Sequence, residues 1–245
     1  MNIAPPVIDA GPCQHCGVRK NAICRVLDVH RELPEMAKSV RHRHYAAGQV
    51  IMSDQDPVSF LGTVLEGTVK LEKMMGDGRK QILGLLFPSD FLGRAHARQS
   101  PYYAIALEPV KLCYAEAASF HRLLETFPKL ETSLFERTLE ALDHSREWMM
   151  LLGRKTARER VASFLCLLAE RQAGPVTDDK PASDGPLVCR IPLTRGDIAE
   201  FLGLTMETVS RQIGELKAAG LIVPESTRQV TIPSLSALRE AAEKA

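Results

Sequence analysis

Apolar residues change their spacing three times along this chain, and each change predicts a different kind of structure. Over residues 40–116 they come in short runs separated by turn residues. Runs at 49–52, 61–65, 68–73, 80–86, 103–107 and 110–114 predict strands. Between them stand Ala47-Gly48, Asp56-Pro57, Glu66-Gly67, Gly76-Asp77-Gly78, Pro88-Ser89-Asp90 and Glu108-Pro109. Many short strands with such punctuation predict an antiparallel barrel or roll. Gly76-Asp77-Gly78 suits a hairpin tip, because glycine tolerates positive φ.

The spacing then becomes helical. Residues 119–152 read as helix, with Pro128 able to restart it. Leu130, Leu134, Thr138, Ala141, Ser145, Trp148 and Leu152 recur at steps of four and three. A neighbouring line, Phe135, Leu139, Leu142 and Met149, widens the apolar surface. One stripe is explained by packing on the roll. Two adjacent stripes on a long helix serve both the roll and a parallel pair with a second copy, which predicts a homodimer. A further helix is expected at 156–170, with Val161, Phe164, Leu165 and Leu168 on its apolar side. A short helix is expected at 26–33, before Pro34. Residues 1–12, with three prolines, read as a loose tail, and 173–186 as an exposed loop.

The third change spans residues 193–222 and has the layout of a helix-turn-helix. Thr194 caps the first helix and Asp197 completes a capping box. Ile198, Phe201 and Leu202 are its buried side, Gly203 permits the turn and Leu204 plugs it. Thr205 caps the second helix. Val209, Ile213 and Leu216 face inward, so Glu207, Ser210, Arg211 and Gly214 project outward together, beside Thr205 and Thr208. Arginine can bond guanine O6 and N7, glutamate can accept from cytosine N4, and serine suits a base edge or a phosphate. Gly214 adds no bulk. Residues 221–223 and 229–232 can pair as a wing around a turn at 224–228. An isolated polar helix face is usually just solvated; the capped pair, the glycine turn and the wing together point to double-stranded DNA.

Composition adds limits. Hydrophobic content of 45% and charged content of 25% suit a globular protein, and a formal net charge of +1 gives no overall pull toward nucleic acid. Over residues 190–230, Arg190, Arg195, Arg211, Lys217 and Arg228 are offset by five acids. Phosphate neutralisation then falls partly to Arg154, Lys155, Arg158 and Arg160, which could equally be solvated or salt-bridged. No apolar run is long enough to span a membrane, and the N-terminus lacks signal-peptide order, so a cytoplasmic protein is expected. No G-x-S-x-G, Walker A or HExxH motif occurs, and no enzyme is expected.

Cysteine usage is the remaining chemistry. Cys13, Cys16 and Cys24 follow C-x2-C-x7-C, and Cys113 lies far downstream in an expected strand. Four thiolates suit either zinc or an iron–sulfur cluster. A structural zinc site usually repeats C-x2-C as a second pair, and Cys113 has no such partner. A lone cysteine in an apolar strand is usually a small buried hydrophobe, the reading given to Cys166 and Cys189. The seven histidines form no H-x3-H set.

With the roll, the long helix and Glu207-Thr208-Val209-Ser210-Arg211 in view, the chain resembles the cAMP receptor/FNR superfamily of bacterial transcription regulators, over about residues 13–235. The cysteines resemble its FNR branch, the fumarate and nitrate reduction regulators, although the gap before the third cysteine is longer than in the enteric pattern. Cyclic-nucleotide members carry a cassette F-G-E followed by R-S/T-A. Here Arg94 replaces the glutamate and no R-S/T-A follows, so no cyclic nucleotide is expected.

The resemblance implies a [4Fe-4S] cluster on Cys13, Cys16, Cys24 and Cys113. It also implies an oxygen-responsive homodimer binding an inverted repeat of TTGAT type through Glu207, Ser210 and Arg211. The two recognition helices would lie about 34 Å apart. By the same resemblance, RNA polymerase would touch the loop of Gly76, Asp77, Gly78, Arg79 and Lys80. The expected fold is α+β. Residues 1–30 would be a cluster-binding segment, 31–118 an antiparallel β-roll sensor, 119–153 a dimerisation helix, and 154–245 a winged helix-turn-helix. Two alternatives stand beside this reading. One is the same fold sensing haem, nitric oxide or another small ligand. The other is an iron–sulfur redox protein, against which the helix-turn-helix argues.

Overall fold

The computed structural model describes residues 8–9, 13–173 and 185–243. The expected N-terminal tail, apart from the backbone of Ile8 and Asp9, and most of the expected loop at 173–186 lie outside these residues. Contacts divide the chain into two compact units, Met1–Asp143 and His144–Ala245.

The first unit is built from two antiparallel sheets. One has the order β1-β2-β9-β4-β7, from β1 (Ile8–Asp9), β2 (Arg41–Tyr45), β4 (Phe60–Glu66), β7 (Phe91–Leu92) and β9 (Val110–Glu116). The other has the order β3-β8-β5-β6, from β3 (Val50–Met52), β5 (Val69–Met74), β6 (Lys80–Leu86) and β8 (Tyr103–Ala106). Every expected strand is present. Arg41-His42-Arg43-His44-Tyr45 carries no apolar alternation and predicts no strand. It is a strand because its backbone pairs with β9, Arg41 opposite Tyr114 through Tyr45 opposite Val110. Strand β7 is two residues long and pairs Gly62 with Leu92.

Alternation along β9 serves two cores. Val110, Leu112 and Tyr114 face into the roll with Tyr45, Phe60, Val64, Val69 and Leu92. Cys113 and Ala115 therefore face the other way, as side chains on a strand must. There they join Ile23, Leu27, Leu33, Phe120, Leu123 and Leu130 in a second core. Gly62 lets β4 and β9 meet at this point: a Cβ there would stand 2.5 Å from the Cys113 carbonyl oxygen.

The cysteine-bearing segment forms three short 3-10 turns, Cys13–His15, Arg19–Asn21 and Ile23–Val26. The helix expected at 26–33 lies further on: α1 is Leu33–Ala37, with Pro34 in its first turn. Proline starts a helix there instead of ending one, since the first turn needs no N–H from it. The long apolar stretch is two helices, α2 (Ala117–Thr126) and α3 (Pro128–Arg154), because Pro128 restarts it.

The second unit holds the last turns of α3, in which Trp148 stacks on Phe201 with ring centroids 4.3 Å apart. The division at Asp143 accordingly falls earlier than the break expected at Gly153. Next come α4 (Ala157–Ala173), β10 (Leu187–Arg190), α5 (Arg195–Leu202), α6 (Met206–Ala218), β11 (Val223–Ser226), β12 (Gln229–Ile232) and α7 (Leu235–Glu243). The wing is three-stranded, in the order β10-β12-β11. Helix α7, absent from the sequence reading, packs on α4, where Arg239 meets Glu170 at 2.7 Å.

Candidate metal centre and nucleic-acid interface

The four cysteines singled out by spacing line one cavity of about 50 Å³. That is several times the space one water needs. Cys13, Cys16 and Cys24 come from the 3-10 segment, and Cys113 comes up from β9. Leu61, Phe91, Ala115, Phe120, Leu123 and Leu130 make the walls mostly apolar. All four thiols are free of disulfides. Among the described residues, no three His, Cys, Asp or Glu side chains are arranged to hold one metal ion. The thiols share a space without converging on one point.

Burial governs their protonation. Cys24 is pushed up from the ordinary 9.0 to about 11, by burial first and then by Cys16 and Cys13. Cys113 moves further in the same direction, by burial and then by Cys13, Cys24 and Cys16. Cys13 also rises, by burial and then by Cys16. Each of these thiols is neutral near pH 7, so any metal group entering must displace their protons. Arg19 opposes the trend at Cys24, lowering its pKa slightly. One Arg19 guanidinium nitrogen, Nη1, is buried with no hydrogen-bond partner. A buried cationic donor that acts on Cys24 suits a nearby anionic, sulfur-rich occupant. Soft donors, apolar walls, spare volume and this orphaned donor fit an iron–sulfur cluster.

Sequence reading missed Arg19, and it missed His42, which faces Cys113 across β2 and β9 and lines the same cavity. Neither carried a signal, because only strand register and the folded turns bring them there.

In the second unit the expected cap chemistry is present. The Asp197 N–H donates to Thr194 Oγ1 at 3.1 Å, and the Thr194 N–H donates to Asp197 Oδ2 at 3.0 Å. Gly203 closes α5 in the left-handed conformation, φ 61°. Thr205 caps α6 by accepting from the Thr208 N–H at 3.2 Å, and its hydroxyl donates to Thr208 Oγ1 at 3.2 Å. Thr205 and Thr208 are thus bonded to each other in the cap. Val209, Ile213 and Leu216 are buried, and Glu207, Ser210, Arg211 and Gly214 lie exposed on the opposite side. Arg211 is held only loosely, 3.9 Å from Glu215. The Glu207 carboxyl is lowered by its own backbone N–H at the helix start and then by the Thr205 hydroxyl, so it stays an acceptor. A Cβ at Gly214 would meet nothing within 4 Å, so the fold does not require glycine there. Arg160, one candidate for phosphate neutralisation, instead donates to the Lys155 and Leu202 carbonyls at 2.9 and 3.1 Å.

Residues 159–241 match the Crp-like helix-turn-helix domain, and residues 42–127 match the cyclic nucleotide-binding domain. The transcriptional activator protein FnrL of Cereibacter sphaeroides is 39% identical over 94% of this chain and 91% of its own length. The chain belongs to the FNR-type regulators of the cAMP receptor/FNR superfamily. The nitrogen fixation regulation protein FixK of Bradyrhizobium diazoefficiens is 38% identical over 86% of this chain and 85% of its own length. The structure of FixK2 from Bradyrhizobium japonicum superposes with a TM-score of 0.74 at 27% identity, covering 84% of this chain and 98% of that one. These relatives are transcription regulators, and the matched helix-turn-helix domain implies that this FNR-type regulator binds DNA. No helix among the described residues is long and apolar enough to cross a membrane.

The other candidate residues of this FNR-type regulator separate into groups. The stripe expected to form the dimer helix, Leu130, Leu134, Thr138, Ala141, Ser145, Trp148 and Leu152, does not share one environment. Leu130 is 1% exposed and Leu134 half-buried, both against the cysteine segment. Thr138, Ala141 and Ser145 are exposed, and Trp148 is committed to Phe201. The apolar face left open on α3 is the neighbouring line: Phe135, Leu139, Leu142 and Met149 are 62%, 44%, 43% and 64% exposed. In the hairpin, Asp77 accepts from the Arg79 N–H at 3.0 Å and from Arg79 Nε at 2.8 Å, and Gly78 has φ +86°. Lys80 sits 3.3 Å from buried Glu72, and Met74, Met75 and Leu83 nearby are exposed.

Proposed function

We propose that this FNR-type regulator responds to oxygen through a [4Fe-4S] cluster held by Cys13, Cys16, Cys24 and Cys113. The carrying observation is that four thiols from two distant parts of the chain line one apolar-walled cavity. When bound, such a cluster supplies an oxidant-sensitive bond set joining the 3-10 segment to β9. The chain's own residues do the rest. Cys113 presents its thiol on the outer face of β9, and Leu61, Phe120 and Leu123 keep water from the site. Arg19 offers a buried donor to negative charge.

The response passes to pairing of α3 with a second copy, and Phe135, Leu139, Leu142 and Met149 form the seam. Their spacing fits alternating positions of a parallel helix pair. Such a dimer presents two α6 faces to an inverted repeat of TTGAT type, read by Glu207, Ser210 and Arg211. The Asp77–Arg79 hairpin with Lys80 is the contact for RNA polymerase. No cyclic nucleotide takes part, because Arg94 stands where the phosphate cassette needs a carboxylate.

The test is anaerobic purification with iron and sulfide analysis. Brown protein absorbing near 400 nm, with four iron and four sulfide per chain, is expected, and air should remove both the colour and the dimer. Colourless protein with no iron or sulfide would sink the reading and favour another effector on the same fold.

A further inference from the structure

Helix α3 carries the open apolar seam on one side and the cysteine segment on the other. Leu130, Ser133, Leu134 and Arg137 recur at helical spacing and face that segment, while Phe135, Leu139 and Leu142 point away. Packing accounts for part of the attachment: Leu130 and Leu134 share one apolar cluster with Ile23, Cys24 and Val26. Polar contacts account for the rest. Arg25, the neighbour of Cys24, reaches Glu136 Oε2 at 3.1 Å. Arg137 donates through Nη2 to the Asn21 carbonyl, and through Nη1 to Glu140 Oε2 at 2.8 Å.

These ties differ in weight. The Arg25 and Glu136 side chains are 33% and 51% exposed, and pairs so wet contribute little. The Arg137 side chain is 27% exposed, its Nε is buried without a partner, and its bond to a carbonyl is charge-assisted. The Asn21 carbonyl belongs to the Arg19–Asn21 turn, between Cys16 and Cys24. That carbonyl stands above α3 only while the segment is folded over the cavity.

We infer that Arg137 is the positioning residue through which α3 reads the state of the cysteine segment. The inference rests on the cluster-and-dimer reading above and adds the route between the two. With the segment closed, Arg137 is fixed between Asn21 and Glu140, and the first turns of α3 are held on both their buried and their polar sides. With the segment open, Leu130, Leu134 and Arg137 lose that cover together. An amphipathic helix depends on such cover for its order. A seam that is ordered in advance binds its copy with less ordering cost, so closing the segment strengthens pairing.

The experiment compares full-length wild type, Arg137→Ala and Arg137→Lys, each anaerobic and each with and without its cluster. The readouts are iron and sulfide content, the dimer dissociation constant by sedimentation, and amide hydrogen exchange over residues 135–142. Arg137→Ala is expected to keep the cluster, exchange faster over 135–142, and lose about tenfold of the cluster-dependent gain in dimer affinity. Arg137→Lys is expected to recover part of that loss, since one donor remains. Cluster-loaded Arg137→Ala that dimerises as wild type does would overturn the inference and leave the cluster-and-dimer reading intact. An Arg137→Ala variant that fails to load would also overturn it, because the residue would then serve the cavity. Wild type whose dimer constant ignores the cluster would end both readings.

Discussion

Replacing Leu142 with alanine should weaken the dimer without weakening the fold. Leu142 is 43% exposed in the single chain, so folding already buries more than half of it. Full burial of a leucine is worth about 2 kcal/mol relative to exposure, so pairing has roughly 1 kcal/mol left to gain at each Leu142. Two-fold symmetry brings both copies to the seam, which doubles the loss to about 2 kcal/mol per dimer. That corresponds to a dimer dissociation constant about thirtyfold weaker. Within one chain the same change is a surface substitution and should alter stability by only about 0.5 kcal/mol. Leu130→Ala is the contrast. Leu130 is 1% exposed under the cysteine segment, and its truncation should cost about 2–5 kcal/mol of fold stability. Sedimentation equilibrium of the anaerobic protein gives the first quantity, and thermal melting at a concentration where the chain is monomeric gives the second. If Leu142→Ala melts earlier and dimerises as wild type does, the assignment of the open face is wrong.

Four further outcomes are expected. Gly214→Ala should raise the melting temperature, since alanine is favoured in a helix interior by up to about 1 kcal/mol, and should lower DNA affinity on every sequence; unchanged affinity in gel-shift titrations would mean that the DNA does not approach Gly214. Arg211→Ala should lose about 1–3 kcal/mol of discrimination at one base position across a panel of single-base variants, whereas uniform weakening would make it a phosphate contact. Gly62→Ala should push β4 off β9 beside Cys113, costing about 1–3 kcal/mol of stability and reducing iron per chain; a variant that loads and melts as wild type does would show that the strands tolerate the Cβ. The cluster-free protein should lose stability as pH rises from 9.0 to about 11, because folded Cys24 keeps a proton that the unfolded chain has released. Urea titrations at pH 8 and pH 11 measure that loss, and Cys24→Ser should reduce it.

Much of this molecule was legible because its elements carry local signals. The capping box at Thr194 and Asp197, the left-handed Gly203 and the inward Val209, Ile213 and Leu216 each depend on residues a few positions apart, and all are present as expected. The same holds for the hairpin at Gly78 and the strand at 110–114. Strand β2 was not legible, because Arg41-His42-Arg43-His44 has no apolar period and owes its conformation to β9. The helix at Leu33–Ala37 lies beyond the position its apolar residues predict, because a proline can open a helix as well as close one.

The α3 stripes show the same division. Their periodicity stated that two faces of one helix were apolar, but a repeat along a helix does not say what lies against each face. Folding of the 3-10 segment onto Leu130 and Leu134 assigned one face to the interior and left Phe135, Leu139, Leu142 and Met149 open. The sequence by itself determined the family, most of the elements and the four thiols worth watching, because these rest on local pattern and residue type. Tertiary structure alone decided that Cys113 turns toward Cys13, Cys16 and Cys24, that His42 lines their cavity, and that Arg137 reaches Asn21. Those relations depend on strand register and on contacts between residues roughly a hundred positions apart. No spacing along the chain encodes them.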